Sequence, residues 1–403
     1  MHNDIISGKK IILGVTGGIA AYKSCYLVRE LVKRNAEVRV IMTPSAVEFI
    51  SPLTFSTLSN YKVLTNTFPL SQKDGTDVSA WHIDYALWAD LMIVAPATIN
   101  TIAKIAHGFA DNALTTLVSA LRSRLILAPA ADVDMYENKF TQDNINKLEA
   151  NGAYIVKAES GELASGLSGY GRMADVNKII DAAEIVLAGI NKDLLGRKVL
   201  ITAGPTYEDI DPVRFIGNRS SGKMGFAIAK AAYLRGADVT LISGPSSESA
   251  YPEIKMLKVR TAAEVKKSVE KELKNNDILI MAAAVADFKP IVAKTKKIKK
   301  EDKLSEIKLT QTDDILASIK KDNKTLIGFA LETDNEKGNA IKKLKAKNLD
   351  MIVLNSPKDK TSAFEYDTNK ITVIHKTGKQ KSYPLLSKFQ AANKILSEIV
   401  GFK

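Results

Sequence analysis

Short runs of consecutive apolar residues alternate along the chain with segments in which apolar residues recur at the helical period. One run lies in SGKKIILGVTGG (Ser7–Gly18), and a helical pattern separates it from a second run in RNAEVRVIMTP (Arg34–Pro44). The same order returns in LGRKVLITAGPT (Leu195–Thr206) and RGADVTLISGP (Arg235–Pro245). Such runs are typical of parallel strands that are covered on both faces. The pattern therefore predicts two tandem α/β units, each a three-layer, doubly wound domain of the Rossmann-like kind.

A third strand is predicted in each unit, within ADLMIVAPAT (Ala89–Thr98) and within NDILIMAAAVAD (Asn276–Asp287). A helical pattern ends near Gly189 and is followed by the polar stretch INKDLLGRK, which is typical of a domain boundary. We therefore predict a first domain at residues 1–190 and a second domain at residues 191–403.

Three further segments show neither a helical nor a strand period. The first, between Tyr154 and Met173, is rich in glycine and serine and too long for an ordinary connection, which predicts a lid or binding loop. The other two irregular segments are residues 209–223 and 286–308.

The last part of the chain again has a pattern. ITVIHKTGKQKSYPLL (Ile371–Leu386) predicts a hairpin, and a closing amphipathic helix is expected to reach about Ile399.

The composition is that of a folded protein, because 45% of the 403 residues are hydrophobic, and this excludes wholesale disorder. No apolar run approaches the roughly 18–20 residues of a membrane span, and the first residues, MHNDIISGKK, lack the pattern of a secretion signal. The single cysteine, Cys25, cannot form an internal disulfide or a zinc cluster. We expect a cytoplasmic, disulfide-free protein with no membrane partner.

The net charge of +12 is compatible with nucleic acid, a membrane surface or phosphorylated small molecules as partners. Much of the excess lies in two lysine-rich stretches, Lys294–Lys300 and Lys342–Lys347. Neither stretch has the interleaved aromatic residues or the reading helix of a nucleic-acid site, so we expect no nucleic-acid partner. Solvated surface charge and a polyphosphate ligand both remain open.

The first glycine turn, Gly14–Ala21, lies between a predicted strand and a predicted helix, where backbone N–H groups can bind a phosphate. A tight turn without a ligand has the same pattern. The G-x-G-x-x-G motif and the acidic residue that dinucleotide sites need are absent, since the second strand ends Ile41-Met42-Thr43-Pro44. This disfavours NAD and favours a ligand with one phosphate, such as FMN. The stretch Ala95–Thr101 could cap a helix or contact that ligand.

The second unit has candidate phosphate-contacting loops at Gly204–Thr206 and Ser220–Gly222. It lacks the G-x-x-x-x-G-K-[ST] motif, which argues against a P-loop ATPase.

Several long motifs, in order along nearly the whole chain, carry a family resemblance. TGGIAAYK (Thr16–Lys23) and WADLMIVAPATINTIAKIAHGFADN (Trp88–Asn112) resemble the flavoprotein family of phosphopantothenoylcysteine decarboxylases. TAGPTYE (Thr202–Glu208), GNRSSGKMG (Gly217–Gly225) and AAAVADF (Ala282–Phe288) resemble phosphopantothenate–cysteine ligase. Fused bacterial proteins of this length carry out two consecutive steps of coenzyme A synthesis. The resemblance implies FMN as a cofactor, Mg²⁺, and CTP rather than ATP as a co-substrate.

For the first domain the resemblance implies an oxidative decarboxylation in which FMN is the electron acceptor. His82 matches the active-site histidine of the family, and Asp132 and Ser165 occupy two further catalytic positions. The implied substrate-binding residues are Asp111, Asn112 and Met135. The implied cofactor-binding residues are Thr16, Gly17, Gly18, Ile19, Ala20, Thr43, Pro96, Ala97, Thr98, Asn100 and Thr101.

Two departures bear on that activity. Asp132 replaces an asparagine that contacts the substrate carboxylate, so an ionised Asp132 would repel the carboxylate unless it is protonated or points elsewhere. Ser165 replaces a lid cysteine that returns a proton to the enethiolate, and a serine hydroxyl is a far weaker acid. The first domain is therefore either a variant active decarboxylase or a degenerate FMN-binding half of a protein that acts only as a ligase.

For the second domain the resemblance implies that Asn218 stabilises the acyl-nucleotide intermediate and that Lys297 acts in the second half-reaction. Asp287 is the implied metal ligand, and Phe329 resembles the residue that packs against the base. Helical spacing places Lys343 and Lys347, the implied triphosphate lysines, on one face. The other implied substrate-binding residues are Ala283, Asp313, Asp314, Ile315 and Leu316.

The expected partners are 4′-phosphopantothenate, cysteine and CTP. Family members form trimer-based decarboxylase cores with ligase dimers, which implies a homo-oligomer. The alternatives of another class are a non-catalytic, flavin-dependent regulatory or nucleic-acid-binding protein and, more weakly, an NAD-dependent oxidoreductase. Pyrophosphate release that depends on CTP and cysteine would exclude the regulatory alternative, and carbon dioxide release would separate a bifunctional enzyme from a ligase alone.

Overall fold

The structure, a computed structural model, describes residues 5–67, 80–299, 306–332, 334–355 and 366–401. Lys300 and the following part of the irregular segment 286–308, up to residue 305, lie outside the described residues. Residue contacts divide the chain into two compact units, with Asn191 in the first and Lys192 in the second.

The first unit begins with alternating strands and helices and ends with a hairpin and a helix. Its elements are β1 (Lys10–Val15), α1 (Ala21–Lys33), β2 (Glu37–Met42), α2 (Pro44–Val47), α3 (Pro52–Ser59), α4 (Trp81–Trp88), β3 (Leu91–Ala97), α5 (Ile99–Ala106), α6 (Ala113–Ala120), β4 (Arg124–Pro129), α7 (Val133–Glu137), α8 (Lys139–Ala150), β5 (Tyr154–Ile155), β6 (Glu159–Glu162), β7 (Ser168–Arg172) and α9 (Val176–Leu187).

The main sheet of the first unit has the strand order β2-β1-β3-β4-β5, and all of its pairings are parallel. All seven residues of β3 are buried because this strand lies inside the sheet and is covered on both faces. The apolar runs that predicted these strands are therefore the core of the unit. The prediction of a doubly wound α/β domain is confirmed.

The second unit repeats this arrangement and extends it. Its elements are β8 (Lys198–Ala203), β9 (Tyr207–Asp209), β10 (Phe215–Gly217), α10 (Lys223–Leu234), β11 (Asp238–Ser243), β12 (Lys255–Lys258), α11 (Ala262–Glu272) with a 3₁₀ turn (Leu273–Asn275), β13 (Ile278–Met281), β14 (Phe288–Pro290), β15 (Leu309–Gln311), α12 (Ile315–Ser318), β16 (Thr325–Leu331), α13 (Glu336–Ala346), β17 (Met351–Asn355), β18 (Thr368–Asn369), β19 (Ile371–His375), β20 (Gln380–Ser382), β21 (Leu386–Ser387) and α14 (Lys388–Val400).

The larger sheet of this unit has eight strands in the order β12-β11-β8-β13-β16-β17-β19-β20. The pairings from β12 through β17 are parallel, and β19 and β20 add an antiparallel hairpin at one edge. The sequence predicted this hairpin and the closing helix α14, and the structure confirms both.

The three segments without a period contain paired strands, which the sequence did not predict. The stretch between Tyr154 and Met173 holds the antiparallel hairpin β6–β7. Segment 209–223 holds β10, which pairs with β9 at its start, and segment 286–308 holds β14, which pairs with β15 directly after it. Strands of three to five residues that are largely exposed have little apolar alternation, so their pairing leaves a weak trace in the sequence. Among the described residues, no helix is both long enough and apolar enough to cross a membrane.

A buried cation joins the start of the second unit to its last helix. The side chain of Arg235, at the end of α10, is inaccessible to solvent and donates to both carboxylate oxygens of Asp193, at 2.8 and 2.6 Å. The same guanidinium donates to the backbone oxygen of Asn393 at 2.9 Å and to the hydroxyl of Ser397 at 3.2 Å, both in α14. These bonds satisfy a charge that would otherwise be costly to bury.

We expect Arg235→Ala to lower the free energy of unfolding of the second unit by about 3–5 kcal/mol, because it removes the cation that pairs with Asp193 and leaves a void. Calorimetric or urea unfolding of the full chain measures the loss. Lys308→Ala is the control, since Lys308 and Glu306 lie 4.0 Å apart and both are exposed, and such pairs contribute about 0–1 kcal/mol. Equal effects of the two substitutions would contradict the assigned role.

Candidate functional sites

A cavity of about 920 Å³ lies at the carboxyl ends of the parallel strands in the first unit. The turns after β1, β2 and β3 form one wall, and the start of α7 and the hairpin β6–β7 form the other. In doubly wound sheets this edge is where ligands bind, because the turns there are free to carry the binding groups. The volume lies within the range of about 300–1,000 Å³ that is usual for ligand pockets.

The turn between β1 and α1 is held by a buried hydroxyl. Thr16 donates to the backbone oxygen of Pro96 at 2.8 Å and accepts from the backbone N–H of Thr98 at 3.0 Å. The turn packs so closely on the start of α2 that a Cβ atom on Gly17 would lie 2.4 Å from Cβ of Ser45. Only glycine fits here, and the backbone of the turn therefore reaches the cavity wall.

Two helices begin at this wall without a side-chain cap. Neither Ala20 nor Thr98, the residues that precede α1 and α5, makes a side-chain hydrogen bond to a backbone N–H of the first turn, although the Thr98 hydroxyl donates to that of Thr101 at 3.2 Å. Free N–H groups at a helix start, together with the helix dipole, favour a bound anion such as a phosphate. The wall can therefore hold the phosphate of a mononucleotide.

The opposite wall combines α7 with the hairpin. Asp132 precedes α7, and its Oδ1 accepts from the backbone N–H of Val133 at 2.8 Å. The hairpin docks closely here, since a Cβ on Gly169 would lie 2.5 Å from Cγ2 of Val133 and one on Gly171 would lie 2.4 Å from the oxygen of Ala131. One carboxylate oxygen of Asp132 is thus occupied by its own helix.

Charged groups line the side of the cavity next to the hairpin. Lys23 donates from Nζ to the backbone oxygen of Met173 at 3.2 Å, and burial together with the nearby Arg172 lowers the pKa of Lys23. Arg172 also lines the cavity and donates to the buried carboxylate of Glu159 at 3.3 Å. Both cations are therefore held in fixed positions at the hairpin.

The residues beyond α5 have structural partners of their own. Asp111 pairs with Lys104, and this hydrogen bond lowers the pKa of the Asp111 carboxyl. Asn112 accepts from the backbone N–H of Thr115 at 3.1 Å, while the hydroxyl of Thr115 accepts from the backbone N–H of Asn112 at 3.2 Å. This reciprocal cap fixes the start of α6 at the cavity rim.

The structure brings most of the site residues expected in the first domain to this one cavity. Those that line it are Gly17, Gly18, Ile19, Ala20, Thr43, Thr98, Asn100, Thr101, Asp111, Asn112, Asp132 and Met135. Thr16, Pro96 and Ala97 are buried behind the wall rather than in it.

Two expected catalytic residues do not reach the cavity in this structure. His82 lies on α4, where its ring packs edge-on against Trp81 with ring centroids 5.6 Å apart. Ser165 lies at the tip of the β6–β7 hairpin, beside Gly166, and its hydroxyl accepts from the backbone N–H of Leu167 at 3.4 Å. Their catalytic roles stay predictions.

Lys23, Ser45 and Arg172 line the cavity and were missed as site residues. Lys23 could have been found from the sequence. It follows Ala20 by three residues, and residues at this spacing lie on the same face of a helix. Ser45 and Arg172 gave no such signal, since their approach to the cavity depends on the packing of α2 and of the hairpin.

The cavity fits FMN on its own geometry. It has a glycine position that a methyl group would fill, two helix starts without side-chain caps, and a volume that suits a mononucleotide. The strand that follows α1 ends without an acidic residue, in keeping with a ligand that carries one nucleotide rather than two.

A second cavity, of about 720 Å³, lies within the second unit, again at the carboxyl ends of parallel strands. Its walls are the loop that leads into α10, the segment after β13, the start of α12, the end of β16 and one face of α13. Four lysines line it, Lys223, Lys343, Lys347 and Lys388, together with three aspartates.

The segment after β13 is fixed by side chains from neighbouring loops. Thr202 accepts from the backbone N–H of Ala283 at 3.1 Å, and Thr206 accepts from that of Ala286 at 2.9 Å. The amide of Asn218 donates to the backbone oxygens of Ala284 and Val285, at 3.1 and 3.2 Å. Asn218 therefore ties the glycine-rich loop to the segment that carries Asp287.

Helix α10 starts at the cavity without a side-chain cap. The residue before it, Gly222, has φ of +83°, a conformation that favours glycine. A Cβ atom on Gly225 would lie 2.5 Å from Cβ of Ala203, so the first turn of α10 sits directly on β8. The first turn of α10, Lys223 to Gly225, lines the cavity, where a helix start favours a bound phosphate.

The expected triphosphate lysines are paired with carboxylates. Lys343 lies 2.6 Å from Glu332, and Lys347 lies 3.1 Å from Asp314. Asp313 pairs with Lys266 at 2.7 Å, which lowers the pKa of the Asp313 carboxyl. A polyphosphate can compete for these cations, because it carries more charge than one carboxylate.

Two polar groups missed by the sequence analysis also face this cavity. Lys388, at the start of α14, is buried, and burial together with the nearby Lys223 lowers its pKa to about 8. Asn355, at the end of β17, has a buried Oδ1 atom without a hydrogen-bond partner among the described residues. A buried acceptor of this kind is costly unless a ligand satisfies it.

The expected residues of the second domain converge on this cavity with one exception. Those that line it are Asn218, Ala283, Asp287, Asp313, Asp314, Ile315, Leu316, Phe329, Lys343 and Lys347. Lys297 does not line it and is exposed on the segment after β14. Among the described residues, no group of three or more His, Cys, Asp or Glu side chains is arranged to hold a metal by itself.

The two halves match two family models. Residues 2–187 match the family described as Flavoprotein, and residues 194–402 match the family described as DNA/pantothenate metabolism flavoprotein C-terminal domain.

Full-length relatives support the same division. The chain is 43% identical over 401 residues to the coenzyme A biosynthesis bifunctional protein CoaBC of Bacillus subtilis (strain 168), covering 98% of each chain. It is 46% identical over 358 residues to a protein named cysteine/cysteine sulfinic acid decarboxylase, from an unknown prokaryotic organism, covering 87% of this chain and 99% of that protein.

One solved structure is that of the C-terminal domain of a CoaBC protein, which is 39% identical to this chain. The match covers 52% of this chain and 97% of the solved chain, with a TM-score of 0.45.

The similarity to the Bacillus protein runs through both halves, which does not favour the alternative of a ligase alone. The chain therefore belongs to the CoaBC family of bifunctional coenzyme A biosynthesis proteins.

Proposed function

We propose that this chain catalyses two consecutive reactions of coenzyme A biosynthesis, one in each domain. Residues 191–403 join 4′-phosphopantothenate to cysteine with CTP, by way of an acyl-cytidylate. Residues 1–190 decarboxylate the product, 4′-phosphopantothenoylcysteine, to 4′-phosphopantetheine with FMN. The observation that carries the proposal is the pair of unlike cavities, one with two uncapped helix starts and one where lysines converge.

In the first domain, the turns that hold Gly17, Gly18 and Thr98 would bind FMN, with its phosphate at the starts of α1 and α5. Bound FMN would supply an acceptor for the two electrons that leave the cysteine moiety and a donor that returns them. The hairpin β6–β7 forms one wall of the cavity together with the start of α7. Lys23 and Arg172 give it a positive side that suits the phosphate of the substrate.

Asp132 has a structural role that explains how the site can tolerate its charge. Its Oδ1 caps α7, so part of the carboxylate is engaged by the Val133 N–H instead of facing the substrate carboxylate. Ser165 lies outside the cavity lining, so the group that returns the proton is another side chain or water.

We expect Gly17→Ala to weaken FMN binding about 10- to 100-fold, because the added methyl would lie 2.4 Å from Cβ of Ser45 and displace the phosphate turn. Flavin absorbance of the purified protein and titration with FMN measure the loss. Gly401→Ala is the control, since its φ of −69° suits alanine and its methyl would make only an ordinary contact, 3.5 Å from the backbone oxygen of Glu398. Ligation by the Gly17 variant would show that its second domain is still folded. A flavin content equal to that of the wild type would contradict the assigned role of this turn in FMN binding.

We expect Asp132→Asn to keep carbon dioxide release, since asparagine can still accept from Val133 and no longer repels the substrate carboxylate. Asp132→Ala should lower the release by about 10²-fold, because both the cap and the polar group are lost. Wild-type protein and both variants are given phosphopantothenate, cysteine, CTP and Mg²⁺, and products are identified by mass. Wild-type protein that binds flavin but stops at phosphopantothenoylcysteine would refute the decarboxylase half.

A second candidate substrate for the first domain is a free amino acid. The carboxylate of Asp132 would attract the ammonium group of cysteine or cysteine sulfinic acid, whereas phosphopantothenoylcysteine has an uncharged amide there. One relative carries the corresponding name. Parallel assays with both amino acids, without CTP, decide between the substrates.

In the second domain, activation of a carboxylate by CTP develops negative charge that needs fixed donors and cations. The start of α10 and Lys343 and Lys347 would hold the triphosphate, and Phe329 would pack against the base. Asn218 lines this cavity, and its amide would stabilise the acyl-cytidylate without adding charge once one of its N–H groups leaves the backbone oxygen of Ala284 or Val285 that it now bonds. Mg²⁺ commonly binds through one or two carboxylates plus substrate phosphates, and Asp287, which lines the cavity, fits this role. In the described part of the chain, no group of three or more His, Cys, Asp or Glu side chains could hold the ion alone.

We expect Asn218→Asp to slow the addition of cysteine by about 10²–10³-fold while CTP still binds. An aspartate cannot donate to the backbone oxygens of Ala284 and Val285, which lie 3.1 and 3.2 Å from the amide nitrogen. Pyrophosphate release and product formation are measured separately. Asn323→Asp, the same change at an exposed turn, is the control and should have no effect. Unchanged product formation by the Asn218 variant would contradict the role of Asn218 in the addition of cysteine.

We also propose a homo-oligomer, with a trimer-based decarboxylase core and ligase dimers. Helices α1 and α3 pack against each other and expose Tyr22, Tyr26 and Leu53, and contiguous exposed apolar surface of this kind often marks an interface. The single cysteine and the small-molecule substrates support a cytoplasmic location.

A further inference from the structure

The lysine-rich segment after β14 is exposed except at one residue. Of residues 291–299, all described, only Ile298 is half-buried, and the lysines on either side of it, Lys297 and Lys299, are exposed. A segment of this kind has few apolar contacts to fix it. Its position must therefore come from hydrogen bonds.

A buried carboxylate supplies those bonds. The side chain of Asp211, in the loop between β9 and β10, is inaccessible to solvent and accepts from the backbone N–H groups of Val213 and Arg214 at 2.8 and 2.9 Å. It also accepts from the backbone N–H of Ile298 at 3.1 Å, across 87 residues of sequence. The Arg214 guanidinium beside it holds the pKa of this carboxyl well below its usual range, so Asp211 stays ionised.

The guanidinium of Arg214 binds both Asp211 and the segment. Its Nε donates to Asp211 at 3.0 Å, and its Nη2 donates to the backbone oxygen of Ile298 at 2.8 Å. Both backbone groups of Ile298 are thus bound by one ion pair. A further bond, from the N–H of Lys294 to the oxygen of Ile210 at 2.9 Å, attaches the segment to the same loop.

We propose that Asp211 is a positioning residue of the ligase reaction, which holds the segment so that Lys297, next to Ile298, is presented to the second half-reaction. This rests on the proposed function, in which Lys297 acts on the acyl-cytidylate. Asp211 itself lies outside the cavity lining and acts only through the segment. Ordering the backbone in advance reduces the entropy that Lys297 must lose when it engages the substrate.

A second ion pair next to the same loop provides a matched control. Asp209, in β9, pairs with Arg260 at 2.6 Å, and its carboxylate makes no described bond to residues 291–299. Asp209→Asn therefore removes a similar carboxylate two residues away and leaves the bonds to Ile298 in place. Comparison with Asp211→Asn separates the loss of the bonds to Ile298 from a general loss of stability of the hairpin β9–β10.

The first test is limited proteolysis of the full chain by trypsin, which cleaves after lysine. Asp211→Asn should speed cleavage after Lys294, Lys296, Lys297 and Lys299 by at least about tenfold, because charge-assisted bonds to Ile298 are lost. Asp209→Asn should match wild type. Arg214→Gln, which keeps the Asp211 carboxylate, should show a smaller increase. Equal cleavage rates for Asp211→Asn and wild type would overturn the proposal.

The second test is a double-mutant cycle with Lys297→Gln, with cysteine-dependent product formation as the readout and CTP binding as the check on folding. Asp211→Asn should slow product formation by about tenfold in wild type and by less than twofold in the Lys297→Gln background. Independent losses that multiply would show that Asp211 does not act through Lys297. If Lys297→Gln alone does not slow product formation, the proposed role of Lys297 is wrong, and so is the positioning role of Asp211. The proposal that the second domain catalyses ligation would not be affected.

Discussion

Both cavities depend on helices that begin at the carboxyl edge of a parallel sheet with their first N–H groups uncapped. In the first unit α1 and α5 begin in this way after Ala20 and Thr98, and in the second unit α10 follows Gly222. Close packing keeps them there, because Gly17 and Gly225 have no room for a Cβ atom. The anion-binding capacity of each domain is therefore a consequence of backbone packing, and side-chain charge adds to it.

The two cavities of this bifunctional coenzyme A biosynthesis protein differ in what surrounds that shared feature. The first has as one of its walls a hairpin that docks at the start of α7 through Gly169 and Gly171. The second gathers lysines whose charges are balanced by Glu332 and Asp314. A polyphosphate can replace these carboxylates as the partner of the two lysines.

Much of the fold could be predicted from the sequence, because its main strands are continuous apolar runs. The parallel order around β1 and β8, the hairpin β19–β20 and α14 all follow from such patterns. The hairpins β6–β7, β9–β10 and β14–β15 could not be predicted in the same way. Their strands are short and mostly exposed, and bonds to segments distant in sequence help to hold them, such as that between Ala131 and Gly171 of β7 and that between Asp211 and Ile298 in the connection from β14 to β15.

By itself, the sequence determined the two-domain α/β arrangement, the glycine turns and the family, since these depend on local patterns and on motifs in order. Only the tertiary structure decided which expected residues share a cavity. It placed Asn218 against Ala284 and Val285 and brought Lys23 and Lys388 to the sites, while His82, Ser165 and Lys297 lie outside both linings. The reason is that a residue's approach to a site depends on how distant segments pack, and that packing has no fixed spacing along the chain.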